Sequence, residues 1–289
     1  MKKILITGSS GFIGRNLKEF LRSQYEVLAP TSKQLNLLDE LKVKKYLTKH
    51  TVDTVIHCAT HNGTVVSSKD LALVFKNNVM MFMNLAKHHH LYKRMFYFGS
   101  GAEYDMRHYV PHMKEGYFDT HIPVDDYGFS KYIMAQHIKN IPNIIDLRLF
   151  GVYGKYEDYR IRFISQTICR ALIDQHITIN QNVRFDYLYI NDLVKIIVRL
   201  IEIKNLPHQY YNVCTGSVVD LRSLAKLVVK IAGKKLTIKT KKKGLKKEYS
   251  GNNKQLLNTI GKFPFTSHET AVKELYEWYK GNDKIAHTL

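Results

Sequence analysis

Short apolar runs alternate along this chain with longer stretches in which apolar residues recur every three or four positions. The first run, Ile4-Leu5-Ile6, reads as a buried strand, and Ile13, Leu17, Phe20 and Leu21 behind it carry a helical period. The same alternation continues. Tyr25–Pro30 reads as a strand, a helix lies around Leu41 to Leu47, and Asp53–Ala59 is a second buried strand. A helix from Asp70 to His90 and a strand at Arg94–Phe98 follow. Asp126 opens a helix that runs through Met134 and Ile138, and Ile144–Phe150 is the next strand. Strands that alternate with helices in this way predict a parallel, doubly wound α/β sheet with ligands beyond the C-terminal strand ends.

Past residue 155 the elements shorten: a helix near Ile161 to Ile173, Ile177–Ile179, Phe185–Asp192, a helix through Leu200, and Tyr210–Val213. Amphipathic helices around Leu221 to Ile231 and Glu269 to Tyr279 close the pattern, and internal repeats and flexible linkers are absent. We expect a large domain over 1–155 and a smaller substrate-binding lobe over 156–289, partly interleaved with the first. The stretch Tyr104–Asp125, rich in Tyr, His and Pro, is too long for a simple connector and is expected to border the substrate.

Chemistry enters at the junction of the first strand and helix. There Gly8, Gly11 and Gly14 stand in the pattern T-G-x-x-G-x-x-G. Gly8 permits a tight turn, Gly11 lets backbone approach a pyrophosphate, and Gly14 lets the helix pack against the sheet, while the helix N-terminus offers unpaired N–H groups. A Rossmann-like dinucleotide site is expected here. At the end of the second strand an acidic residue would select the ribose 2′-hydroxyl of NAD. Thr31, Ser32 and Lys33 stand there instead, and two hydroxyls with a cation suit a 2′-phosphate, so NADP is favoured over NAD.

Composition narrows the rest. The chain has 289 residues, 45% of them hydrophobic and 11% aromatic, which describes a globular protein rather than a disordered one. No apolar run reaches the length of a membrane span and no signal peptide is visible. Cys58, Cys169 and Cys214 lack metal spacing and fit packing roles in a reducing cytoplasm. The net charge of +19 owes much to the lysines between Lys234 and Lys247, which have no aromatic residues between them to stack bases, so a solvated lysine-rich strand is expected rather than a nucleic-acid surface. His88, His89 and His90 are adjacent and on a helix would point apart, so no metal site is expected.

Tyr127 and Lys131 lie four apart and share one helix face. An ammonium beside a phenol lowers the phenol pKa from about 10, which makes Tyr127 a usable general acid or base. Ser100 ends a strand in the run Gly99-Ser100-Gly101, where a ligand would bind.

Together these motifs resemble the extended short-chain dehydrogenase/reductase family, which includes NAD(P)-dependent sugar-nucleotide epimerases, dehydratases and reductases. The resemblance covers nearly the whole chain and rests on TGSSGFIG at 7–14, HCAT at 57–60, GSGAEY at 99–104, YGFSK at 127–131, LRLFGVYG at 147–154 and FDYLYINDL at 185–193. It implies that Ser100 hydrogen-bonds the reacting oxygen, Tyr127 moves its proton, and Lys131 holds the nicotinamide ribose. It further implies that Gly8, Gly11, Phe12, Ile13 and Gly14 line the pyrophosphate, with Ala59 and Phe150 near the ribose and nicotinamide, Asp39 at the adenine edge and Asn78 among the cofactor-binding residues. A homodimer formed through the Tyr-Lys helix and the helix before it is also implied.

The 4,6-dehydratases of this family carry Asp-Glu directly after the hydroxyl residue, where this chain has Gly101 and Ala102. GSGAEY and the run APTSKQLNLLD at 29–39 look like reductases of 4-keto-6-deoxy sugar nucleotides. An NAD-dependent epimerase is the alternative, and a non-catalytic dinucleotide-binding regulator is the alternative of another class, opposed by the intact trio. Family members usually carry Arg directly before the Asp at 186. Here Phe185 stands there and Arg184 is one position earlier, which on a strand faces the other way and leaves Arg160, Arg162 or a lysine to meet the phosphates.

Overall fold

The computed structural model describes residues 1–61, 70–282 and 288. The strands are β1 (Lys3–Thr7), β2 (Glu26–Leu28), β3 (Val52–His57), β4 (Tyr92–Ser100), β5 (Ile144–Leu149), β6 (Gly151–Tyr153), β7 (Ile177–Asn182), β8 (Arg184–Phe185), β9 (Tyr187–Tyr189), β10 (Tyr210–Val213), β11 (Val219–Asp220) and β12 (Ile238–Leu245). The helices are α1 (Phe12–Leu21), α2 (Glu40–His50), α3 (Val74–Ala86), α4 (Asp126–Ile138), α5 (Phe163–Leu172), α6 (Ile190–Glu202), α7 (Leu221–Ala232), α8 (Lys254–Ile260) and α9 (His268–Lys280).

Six strands form one parallel sheet in the order β10-β5-β4-β3-β1-β2. The order reverses between β1 and β3, so a crevice opens at their C-terminal ends, where α1 begins. Both sheet faces are covered. Ile4, Ile6, Ile56, Phe96, Phe98 and Leu147 pack toward α1 and α6, while Leu5, Val55, Met95, Tyr97 and Ile144 pack toward α2, α3 and α4. Burial on both sides explains why these strands read as continuous apolar runs.

The C-terminal half is woven into the same core. β10 forms the edge of the main sheet beside β5, and α6 packs against α1. The remaining strands form three small pairs, β6 with β9, β8 with β11 and β7 with β12. The lysine-rich run is strand β12, paired parallel to β7 with its lysine side chains mostly exposed, as the composition suggests.

Some expected boundaries shift. The helix expected from Asp70 to His90 is one 3-10 turn at Leu71–Leu73 followed by α3, which stops at Ala86. The apolar period fails after Ala86, and His89 and His90 lie in a 3-10 turn leading into β4. Among the described residues no group of His, Cys, Asp or Glu is arranged to hold a metal ion, and no helix is long and apolar enough to cross a membrane. Helix α8 has no counterpart in the apolar pattern, because only its Leu256 is buried.

Candidate active site

The glycine turn after β1 is built by close backbone packing. Gly8 has φ +67°, and a Cβ there would lie 2.7 Å from the N and Cα of Ala59 at the end of β3. A Cβ on Gly14 would lie 2.3 Å from the Gly8 carbonyl oxygen, so α1 sits directly on the turn. Gly11 is the residue before the helix, and no side chain caps its first N–H groups. A Cβ on Gly11 would meet only the Gly8 carbonyl oxygen, at 3.3 Å. The chain therefore presents uncapped N–H groups beside backbone that no side chain covers, an arrangement that fits a pyrophosphate. Phe12 and Ile13 open the helix half-buried. Ser9, which the pattern did not single out, is buried and donates to the carbonyl oxygen of Ala29 at 3.2 Å, tying the turn to the end of β2.

Ser100, Tyr127 and Lys131 lie around the end of β4, two strands from β1. Ser100 ends β4 and caps a 3-10 turn at Gly101–Glu103, its Oγ accepting from the Ala102 N–H at 3.1 Å. Asp125 caps α4 by accepting from the Gly128 N–H at 2.8 Å. A Cβ on Gly128 would lie 2.8 Å from the Ala102 carbonyl oxygen, so the first turn of α4 rests against the turn that Ser100 caps. Tyr127 lies in that first turn. Lys131, one turn on and 5% exposed, donates from Nζ to the Phe98 carbonyl oxygen at 2.6 Å. Its Nζ is 4.6 Å from the Tyr97 ring centroid and 5.8 Å from that of Tyr127. The lysine is therefore held by the strand rather than by the phenol, with Tyr127 on the same face as the spacing predicts.

Lys131 also links this cluster to the glycine turn. His57 ends β3, shares a 2.7 Å hydrogen bond between Nδ1 and Thr7 Oγ1, and is pushed down to about 3 by burial and by the Lys131 charge. It is thus a neutral ring at neutral pH. Burial raises the Cys58 thiol against the opposing pull of Lys131, which makes it an inert packing group. Cys169 and Cys214 are buried free thiols as well.

Beneath Ser100 lies a charged cluster that the strand pattern hides. Asp146 and Arg148 point from β5 to one face, and both are buried. Arg148 Nε donates to Glu103 Oε2 at 2.8 Å and to Asp146 Oδ2 at 2.9 Å, and Arg148 Nη1 donates to Tyr104 Oη at 3.1 Å. Glu103 Oε1 accepts the Ser100 N–H at 2.9 Å. Glu103 is driven well above the carboxylate range by burial and by Asp146, despite Arg148. Arg148 thus bridges two carboxyl groups buried side by side. The cluster clamps the backbone of Ser100. Its sequence signal is the pair of charged residues in an otherwise apolar buried strand.

The remaining expected residues fall as follows. Thr31, Ser32 and Lys33 are exposed just beyond β2, and Thr31 is held by Gln34 Oε1 through its N–H at 2.8 Å and its hydroxyl at 3.1 Å. Asp39 caps α2, accepting from the Lys42 N–H at 3.0 Å, so its carboxylate has a structural use. Asn78 is buried in α3, and its Oδ1 accepts from the His61 N–H at 2.6 Å, which pins the chain leaving β3. Phe150 follows β5 and is packed between Tyr104 and Tyr249 at 6.4 and 5.0 Å. Arg184 is exposed on β8, whereas Phe185 turns inward to meet Tyr187 and Tyr249. Asp186 is buried and accepts from the N–H groups of Thr215 and Gly216, both at 2.8 Å.

A parallel α/β sheet with a glycine turn at its switch point and Ser100, Tyr127 and Lys131 around the end of β4 fits a nicotinamide-dinucleotide enzyme fold. Residues 4–214 match the model of the NAD dependent epimerase/dehydratase family, and the chain belongs to that family. A GDP-6-deoxy-D-talose 4-dehydrogenase from Aggregatibacter actinomycetemcomitans is 27% identical, with 95% of this chain and 97% of the relative covered. A GDP-L-colitose synthase from Yersinia pseudotuberculosis is 24% identical over 97% of this chain and the whole of the relative. Among solved structures, the UDP-glucose 4-epimerase of Thermotoga maritima with UDP-glucose superposes with a TM-score of 0.83 at 22% identity, covering 97% of this chain and 99% of the other. A GDP-mannoheptose C4 reductase from Campylobacter jejuni with NADP bound gives 0.81 at 21%, covering 96% and 98%. These structural likenesses bear out the expected fold. The chain is an enzyme of the NAD(P)-dependent, sugar-nucleotide class.

Proposed function

We propose that this enzyme reduces the 4-keto group of a 4-keto-6-deoxy sugar nucleotide, using NADPH. The observation that carries the reading is the complete Ser100-Tyr127-Lys131 cluster with Gly101 and Ala102 directly after the serine, where a dehydratase has two carboxyl groups. Three relatives, the dehydrogenase and colitose synthase above and a GDP-L-fucose synthase from Azorhizobium caulinodans, carry GDP and a deoxy or related sugar in their names, which supports a guanosine nucleotide as the first to test.

The bound nicotinamide supplies the hydride. The chain's own residues do the rest. Gly8, Gly11 and Gly14 with the α1 N-terminus bind the pyrophosphate, Thr31, Ser32 and Lys33 meet the 2′-phosphate, and Asp39, Ala59, Asn78 and Phe150 flank the remainder of the dinucleotide. Ser100 donates a hydrogen bond to the substrate carbonyl oxygen. Tyr127 passes its phenolic proton to that oxygen as charge develops on it, and the buried Lys131 ammonium favours the phenolate left behind.

The test is the loss of 340 nm absorbance when 4-keto-6-deoxy GDP-sugars are added to enzyme and NADPH. Stoichiometric loss, faster with NADPH than with NADH, is expected. Tyr127→Phe should lower turnover by at least about 10²-fold with NADPH affinity nearly kept. Interconversion of sugar-nucleotide isomers with no net absorbance change would replace the reductase with an epimerase.

A further inference from the structure

A cavity of about 260 Å³ opens between β5, α4, the edge strand β10 and a 3-10 turn at Glu115–Tyr117. Strand β5 supplies Asp146 and Arg148, and α4 with the residue after it supplies Ala135, Ile138 and Lys139. Phe118 and Tyr210 border it as well, with the Arg148 guanidinium 4.3 and 5.1 Å from their ring centroids. None of these residues is among those placed around the dinucleotide or at Ser100, Tyr127 and Lys131, so the cavity is not the catalytic cleft.

Two buried polar side chains reach this space with hydrogen-bonding capacity unused. Arg148 is 2% exposed. Its Nε is taken by Glu103 and Asp146, and its Nη1 by Tyr104 Oη and by the Glu115 carbonyl oxygen at 3.4 Å. Its third nitrogen, Nη2, has no hydrogen-bond partner among the described residues and is not sealed in protein, and the cavity is the open space that Arg148 borders. Glu115, 8% exposed, repeats the arrangement. Its Oε1 accepts from the Asn212 N–H at 3.0 Å, while Oε2 has no partner among the described residues and borders the same opening. A free donor and a free acceptor therefore share one cavity, and a ligand that paired with both would recover bonds that the fold leaves unmade.

Size and charge narrow what fits. A cavity of about 150 Å³ holds a benzene ring, so this one takes roughly ten non-hydrogen atoms, too few for a nucleotide. The charged side chains that border it are balanced, Asp146 and Glu115 against Arg148 and Lys139, with Lys139 also paired to Asp119 at 3.2 Å. An anion bound to Arg148 would lie beside two carboxyl groups, and a cation bound to Glu115 beside a guanidinium, in surroundings that screen little. A hydroxyl group accepts from the one and donates to the other while carrying no charge. Phe118, Ala135 and Ile138 offer an apolar wall to the C–H groups of such a molecule. We propose that the cavity is a second ligand site, for a small uncharged polyol of monosaccharide size whose hydroxyls accept from Arg148 Nη2 and donate to Glu115 Oε2.

The test reads binding alone and does not rest on the reductase reading. D-Glucose, D-gluconate and D-glucosamine share one carbon skeleton and differ in charge. Each is titrated into ¹⁵N-labelled enzyme, and the amide resonances of Gly116 and Tyr210 and the Arg148 Nε–H are followed. D-Glucose should bind saturably with a millimolar dissociation constant, as expected for so small a ligand, and should move all three resonances. Gluconate and glucosamine should bind at least about tenfold more weakly, because each sets a like charge against the site. Ala135→Leu extends a longer side chain from α4 into the cavity and should abolish glucose binding with NADPH affinity kept. Tyr210→Ala, at an exposed strand position, removes another part of the wall and should weaken glucose binding about tenfold, which keeps the test open if the leucine variant does not fold. The proposal is overturned by the absence of saturable glucose binding, by gluconate or glucosamine binding as tightly as glucose, or by glucose binding that survives in the folded variants undiminished.

Discussion

Replacing Gly14 or Gly11 by alanine separates two jobs that one glycine motif performs. At Gly14 a Cβ would sit 2.3 Å from the Gly8 carbonyl oxygen, 2.8 Å from the Gly8 carbonyl carbon and 2.9 Å from Ser9 Cα, all of them backbone. Real Cβ contacts stay above 3.0 Å, so α1 must retreat from the turn by at least about 0.7 Å. Forced overpacking of this size costs about 1–3 kcal/mol. For a chain of this length that lowers the melting temperature by roughly 2–5 °C. The retreat also carries the α1 N-terminus away from the pyrophosphate position, so NADPH affinity should fall as well. At Gly11 the added methyl meets only the Gly8 carbonyl oxygen at 3.3 Å, and the backbone has an ordinary negative φ of −81°. Alanine in place of a glycine cap costs a few tenths of a kcal/mol, so the free protein should melt within about 2 °C of wild type. The methyl group occupies the face from which a pyrophosphate must approach, and NADPH affinity should fall at least tenfold. The assays are thermal unfolding without ligand and fluorescence titration with NADPH. Gly14→Ala melting like wild type would refute the packing argument. Gly11→Ala binding NADPH like wild type would refute the assignment of the turn as the pyrophosphate cradle.

Two further outcomes are expected. Lys33→Ala should weaken NADPH binding about tenfold while leaving NADH binding unchanged, because one charge-assisted contact to a 2′-phosphate is lost, and equal effects on both dinucleotides would remove Lys33 from that role. Glu157 is buried between its loop and α5, where burial raises its carboxyl from 4.5 to about 8 despite the Ser165 hydroxyl and Arg162. Between those values the folded protein holds a proton that the unfolded chain has released, so its stabilising share is complete below the unfolded value and is lost as pH rises. The loss amounts to about 3 kcal/mol between pH 4.5 and 7, and Glu157→Gln should flatten the fall in melting temperature over that range. A wild type and a variant with parallel profiles would contradict the assignment.

The sequence by itself determined the sheet and the glycine turn after β1. Apolar runs buried on both faces are legible because a two-sided parallel strand needs no polar positions, and the Gly8-Gly11-Gly14 spacing is legible because each glycine answers a local backbone constraint. The same holds for Tyr127 and Lys131, whose shared face follows from helical geometry alone. The dissolution of the expected helix beyond Ala86, and the capping role of Asp39, depended on where the chain had to turn into its next element. Only the tertiary structure decided that β10 joins the main sheet, that Arg148 bridges Glu103 and Asp146 beneath Ser100, and that Tyr249 reaches Gly101. Glu103 and Asp146 lie 43 positions apart in sequence, and Gly101 and Tyr249 lie 148 apart. No local periodicity encodes such pairings. They exist because burying a charge or a phenol is tolerable only where the fold supplies its partner.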